Sequence, residues 1–163
     1  MLLLLPFFAM QFTDEVDWDL ADFAFAGALM LAVGVTYELA ARMTGNRAYR
    51  AAVGVALAAS FILVWMNLAV GIIGSEGNPA NLMYYGVLAV GVVGAIIARL
   101  QPHAMARSLV ATALAQMLVA GIALIVGLDY PGPITLFFAA LWLTSAWLFR
   151  KAAQEQTAAG TAP

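Results

Sequence analysis

Long apolar runs separated by short polar breaks dominate this chain. Five of the runs read as membrane-crossing helices, over residues 23–41 (FAFAGALMLAVGVTYELAA), 51–74, 82–98, 108–128 and 134–149. A hydrocarbon core of roughly 30 Å takes ~20 helical residues at about 1.5 Å each. The third and fifth runs come to about 25 Å on that rise and are expected to stand close to the membrane normal. The runs are continuous rather than alternating and too long for barrel strands, which argues against a β-barrel. The expected fold is all-α: a polytopic transmembrane helical bundle of five firm spans plus a short N-terminal hydrophobic segment, a possible truncated sixth span.

The polar breaks carry turn chemistry. Thr44-Gly45-Asn46 closes the first span, with Gly45 suited to the C′ position and Asn46 to capping the next helix. Ser75-Glu76-Gly77-Asn78-Pro79 reads as a tight turn, and Pro79 suits the first turn of the helix that follows. Asp129-Tyr130-Pro131-Gly132-Pro133 plays the same part before the fifth span, and Pro102 interrupts the loop between the third and fourth. Connections this short make consecutive helices antiparallel neighbours.

The stretch MLLLLPFFAMQF is apolar but only about 18 Å long as a helix, too short to span. Three readings stay open. It is a signal-peptide core without its basic n-region, a half-helix dipping into one leaflet, or the remainder of a span that continues upstream of the assigned start. The last is preferred and would give six spans with both termini on one side. The organisation expected is thus 1–22 as a hydrophobic and then acidic segment, 23–150 as the bundle and 151–163 as a tail.

Charge gives the bundle a direction. All seven basic residues (Arg42, Arg47, Arg50, Arg99, Arg107, Arg150 and Lys151) fall at one end of the predicted spans. Seven of the nine acidic residues (Asp14, Glu15, Asp17, Asp19, Asp22, Glu76 and Asp129) fall at the other. By the positive-inside rule the loops 42–50 and 99–107 and the tail are cytoplasmic. Tyr84, Tyr85 and Tyr130 at one boundary, with Tyr37, Tyr49 and Trp147 at the other, fit an aromatic belt. The 163 residues are 64% hydrophobic and 10% charged, against roughly 25% charged in soluble domains. With no cysteine, disulfides, thiol catalysis and cysteine-ligated metal or iron–sulfur sites are excluded. No polybasic run for nucleic acid is present.

Few residues are left to carry chemistry. The acidic segment 13–22 lacks the glycine and terminal glutamate of an EF-hand loop and reads as a solvated cap near a helix N-terminus, which the helix dipole favours. Glu38 is the one ionisable residue inside a span, and such residues are functional candidates by default. It lies one turn before Arg42, however, so an ion pair between Glu38 and Arg42 near the boundary is preferred over a proton relay. His103 has no second histidine to share a metal or haem, so no metal, cofactor or catalytic residue is expected. Ser60 and Asn67 share a face of the second span, and Thr112 and Gln116 share a face of the fourth. These four residues read either as interhelical polar contacts or as the lining of a small-solute path, the contacts being preferred. Small residues four apart (Gly54 and Ala58, Gly91 and Ala95, Gly94 and Ala98, Ala123 and Gly127) are expected to bring helix backbones close.

The run from Trp65 to Gly86 (WMNLAVGIIGSEGNPANLMYYG), with Met10-Gln11-Phe12-Thr13-Asp14-Glu15-Val16 and Ala113-Leu114-Ala115-Gln116, resembles a group of small, uncharacterised polytopic inner-membrane proteins of bacteria. The resemblance implies a bacterial plasma membrane and supplies no activity.

The expectation is an integral membrane protein that is not an enzyme, works as an accessory or scaffold component or as a homo-oligomer, and needs no cofactor. Its partners would be membrane lipid and other membrane subunits or itself, and not nucleic acid. The alternatives are a small-solute or cation transporter and, further off, a membrane enzyme acting on lipids or quinones.

Overall fold

Caps and turns decide where the helices start and stop. The computed structural model describes residues 12, 19–75 and 77–160. Within them run α1 (Leu20–Met43), α2 (Arg47–Ala69), a 3-10 turn (Pro79–Leu82), α3 (Met83–Ala98), α4 (Pro102–Val126) and α5 (Gly132–Gly160). Five helices, the third counted with its 3-10 turn, are long and apolar enough to cross a membrane. No strand occurs among the described residues, and the fold is an all-α helical bundle. The N-terminal hydrophobic segment, Asp14, Glu15, Asp17 and Glu76 lie outside the described residues.

At the start of α1, Asp19 and Asp22 form a reciprocal capping box. The Asp22 N–H donates to Asp19 Oδ1 at 2.8 Å and the Asp19 N–H to Asp22 Oδ2 at 3.0 Å. Two amides that the helix leaves unpaired are thereby satisfied, beside negative charge that the helix dipole welcomes. Asn46 caps α2 by accepting from the Tyr49 N–H at 2.8 Å. Gly45 does not adopt a left-handed C′ conformation. The chain leaves α1 through an extended Thr44, whose hydroxyl accepts from the Asn46 N–H at 3.1 Å, so the turn is made by side-chain bonds. Gly127 takes the left-handed role instead, ending α4 at φ 75°. Nothing lies within 4 Å of where its Cβ would be, so it is a helix stop and not a packing residue.

Two spans differ in extent from the hydropathy reading. α2 ends at Ala69, not 74, because the apolar residues after it fold back as a loop. α5 continues as helix through the polar tail to Gly160, 29 residues in all.

The bundle is built around α5, which packs between α2 and α4, with α3 against the far side of α4. Its buried face is Thr135, Phe138, Trp142, Ser145, Phe149 and Ala152, three or four residues apart throughout, the spacing of one helix face. Ser145 Oγ donates to the Ala52 carbonyl of α2 at 2.7 Å, and Phe149 meets Tyr49 edge-on with ring centroids 5.1 Å apart. On α3, a Cβ at Gly94 would collide with the Ser108 side chain, and one at Gly91 would sit 3.4 Å from Thr112 Oγ1. The missing side chains bring α3 and α4 together, which is how helices associate in lipid without a hydrophobic drive. α1 is the outlier. It packs chiefly on α2 and buries only Ala26 and Ala40.

Asn81, which the sequence reading did not single out, closes the end of the bundle that carries Asp19, Asp22 and Asp129. It is 4% exposed. Its Oδ1 accepts from the Ile72 N–H at 2.9 Å and the Ile73 N–H at 2.8 Å, while its Nδ2 donates to the Ser75 carbonyl at 2.7 Å and, more weakly, to Ile73 O at 3.4 Å. Asn67 Nδ2 adds a bond to the Asn81 carbonyl at 3.2 Å. One amide thus stands in for the helix that residues 70–75 do not form, and Gly71 and Gly74 supply the positive φ angles of 69° and 70° that the loop needs. Asn81→Ala strands two buried N–H groups and is expected to lower unfolding free energy by about 3 kcal/mol. Chemical or thermal unfolding in detergent measures the change.

Candidate functional site

A half-open cleft of about 760 Å³ lies between α1 on one side and α2, α3 and α4 on the other. Such a volume is within the roughly 300–1,000 Å³ of small-molecule sites. It exists because α1 leans chiefly on α2 while α2 and α3 pack little against each other. Leu39 and Met43 of α1 and Val92 and Ile96 of α3 are exposed along its opposite lips. Its walls are overwhelmingly apolar.

The cleft has a defined depth. Along α3 it is lined from Leu88 to Arg99, and along α2 from Tyr49 to Ser60. The eleven residue-to-residue steps on each side correspond to about 16 Å at the helical rise. That is half of a roughly 30 Å hydrocarbon core. The mouth lies at the end of the bundle carrying Arg42, Arg47, Arg99 and Arg107, and the floor is formed near Trp142, Thr112 and Ser60.

The corner at the mouth is strained. Arg99 and Leu100 are consecutive non-glycine residues at φ 47° and 59°, a left-handed conformation that costs roughly 1–2 kcal/mol for each side-chain-bearing residue. The Tyr49 hydroxyl donates to the Leu100 carbonyl at 2.9 Å and holds the corner against α2. Backbone strain of this kind gathers at functional positions, where the surroundings over-determine it. The Arg99 side chain is exposed and has no ion pair or hydrogen bond among the described residues.

The residues singled out by sequence fall in different places. Arg42 Nε donates to Glu38 Oε1 at 2.8 Å, with both side chains largely exposed. Asn67 is buried and bonded to the Asn81 carbonyl. Ser60 and Thr112 line the cleft but turn their hydroxyls onto their own helices, to the Ala56 and Ser108 carbonyls at 2.9 and 3.0 Å. Gln116 is fully buried, and neither of its amide atoms has a partner among the described residues. No hydrogen bond joins any two of these four. His103 is exposed at the start of α4. Two members of the expected aromatic belt are interior residues instead: Tyr84 is fully buried and Tyr49 is 5% exposed. Tyr37, Tyr85, Tyr130 and Trp147 remain exposed.

Sequence reasoning missed Tyr49 as a cleft residue, the left-handed corner at Arg99 and Leu100, and Trp142 at the floor. Trp142 shares a helical face with Phe138 and Phe149, a spacing that was available. The corner carries no glycine and offered no such signal. Comparison of the chain with protein-family models, with curated proteins and with solved structures gave no match. The site therefore rests on its own geometry.

Gln116 buries an amide that no described residue satisfies. Gln116→Met keeps the length of the side chain and removes the unpaired groups. It is expected to raise unfolding free energy by ~1–2 kcal/mol, read as a higher midpoint in detergent.

Proposed function

We propose that this chain is a multi-pass protein of the bacterial plasma membrane, with its basic end and C-terminus in the cytoplasm, and that it works without catalysis as an accessory component. Its task on this reading is to hold an apolar occupant in the cleft between α1 and α3. The positive-inside distribution of Arg42, Arg47, Arg50, Arg99, Arg107, Arg150 and Lys151 supports the orientation. The observation that carries the activity is the cleft itself, an apolar volume of about 760 Å³ open between two helices that pack little against each other. The occupant is drawn from what a membrane offers: lipid, another subunit or a second copy. A route for solutes or cations through Asn67, Gln116, Ser60 and Thr112 has less support. Asn67 Nδ2 is engaged with the Asn81 carbonyl, and both hydroxyls are turned onto their own helices.

Filling the cleft tests the proposal. Ser60→Phe narrows it from α2 and Ala95→Phe from the opposite wall. The wild-type protein, purified in a mild detergent, is expected to carry a stoichiometric apolar companion visible by mass spectrometry. Both variants should lose it while unfolding near the wild-type temperature. A wild type that arrives empty, or variants that keep the same companion, would overturn the reading.

A further inference from the structure

We infer that the occupant of the cleft is an anionic phospholipid from the leaflet at the basic end, its acyl chains lying between α1 and α3 and its phosphate held by Arg99. The inference rests on the holding function proposed above and names its ligand.

Depth argues for a lipid. Measured along α2 and along α3, the cleft is about 16 Å deep, one leaflet of a roughly 30 Å hydrocarbon core. Besides its mouth at the basic end, it is flanked along its side by exposed apolar residues of α1 and α3. An acyl chain enters by lateral movement and leaves no water contact behind. The floor stays apolar to its occupant because the Ser60 and Thr112 hydroxyls are already bonded within their own helices.

Charge argues for an anion. Of the basic residues, Arg99 lines the mouth directly, at the level where a headgroup phosphate sits. Two carboxylates belong to this end of the described residues, and both have other engagements. Glu38 is paired with Arg42, and Glu155 accepts from Asn46 Nδ2 at 2.8 Å. Arg99 thus has no counter-ion among the described residues, and a guanidinium presents a planar donor fork matched to phosphate.

The backbone supplies an independent argument. The chain holds Arg99 and Leu100 in a left-handed corner that an ordinary glycine would occupy without strain. Leu100 also lines the cleft, and its carbonyl is the acceptor through which Tyr49 fixes the corner. Selection for a helix stop alone would put glycine at such a position, as it stands at Gly127. The arginine side chain is the reason to keep the strain.

That arrangement yields a variant in which binding and folding move apart. Delipidated protein in detergent is offered equal amounts of dioleoyl phosphatidylglycerol and dioleoyl phosphatidylcholine, and bound lipid is counted by native mass spectrometry. The wild type should prefer the anionic lipid roughly fivefold, the effect of one basic residue near a membrane surface. Arg99→Gly should abolish the preference while its unfolding temperature holds or rises, because the strain is relieved. Arg99→Lys should keep most of it. If Arg99→Gly still prefers the anionic lipid, or if both lipids bind the wild type equally, the inference is overturned and the holding function stands. If Ser60→Phe and Ala95→Phe leave anionic binding unchanged, the lipid is not in the cleft, and both fall. A dimer mass that replaces lipid assigns the cleft to a second copy and overturns the lipid.

Discussion

Backbone N–H and C=O groups inside a bilayer have no water to turn to, so every break in a helix must find its partners in the chain itself. This structure meets that demand at its most awkward place with the side chain of Asn81. Residues 70–75 leave α2 and fold back, burying Ile72 and Ile73, whose amides would be orphans without the Asn81 amide oxygen. Asn67 reaches the same residue from the last turns of α2. The first turn of the next helix is thus tied to the last turns of the one before it. Since α2 and α3 have little direct packing, this tie stands where side-chain interdigitation is thin. The space between them toward the other end is left for the cleft.

The two halves of the molecule use different chemistry for cohesion. α4 and α5 meet through small residues, among them Ala106, Ala113, Ala120 and Ala146, with Phe138, Trp142 and Phe149 filling the remainder. α3 joins by removal of side chains at Gly91 and Gly94. α1 has neither device over most of its length. A Cβ at Gly54 of α2 would sit 3.4 Å from the Tyr37 ring, and Ala26 and Ala40 are the buried residues of α1. A helix held by so few contacts opens at low free energy compared with the α4–α5 core, which suits a wall past which a lipid-sized molecule must pass.

The five spans were legible because continuous apolar runs report burial in lipid directly, and the cap at Asn46 and the place of Pro79 in the first turn after the break follow from local chemistry. What hydropathy cannot report is whether a buried residue is helical. Ile72 and Ile73 looked like the end of α2 because they are apolar, yet they are apolar loop, and the Asn81 that makes this possible sits in a segment read only as a break. The tail of α5 shows the converse. Ala152 to Gly160 is polar enough to end an apolar run, yet rich in alanine and glutamine and well suited to helix. Of the candidate site, the polar residues in the spans were visible by type. Their directions were not, because a serine or threonine in a helix chooses between its own carbonyl four residues back and a neighbouring helix. Ser60 and Thr112 took the first course, and Ser145, unremarked in the sequence, took the second.

The length of α5 has a use of its own. Its 29 residues come to about 43 Å, so the helix outruns a roughly 30 Å hydrocarbon core by about two turns. The overhang is braced where Asn46 donates to Glu155. Small helical membrane proteins offer little for electron microscopy to align. A soluble partner that begins with a helix, joined in phase at Gly160, would inherit the orientation of the bundle through an unbroken rod and serve as a rigid fiducial for imaging.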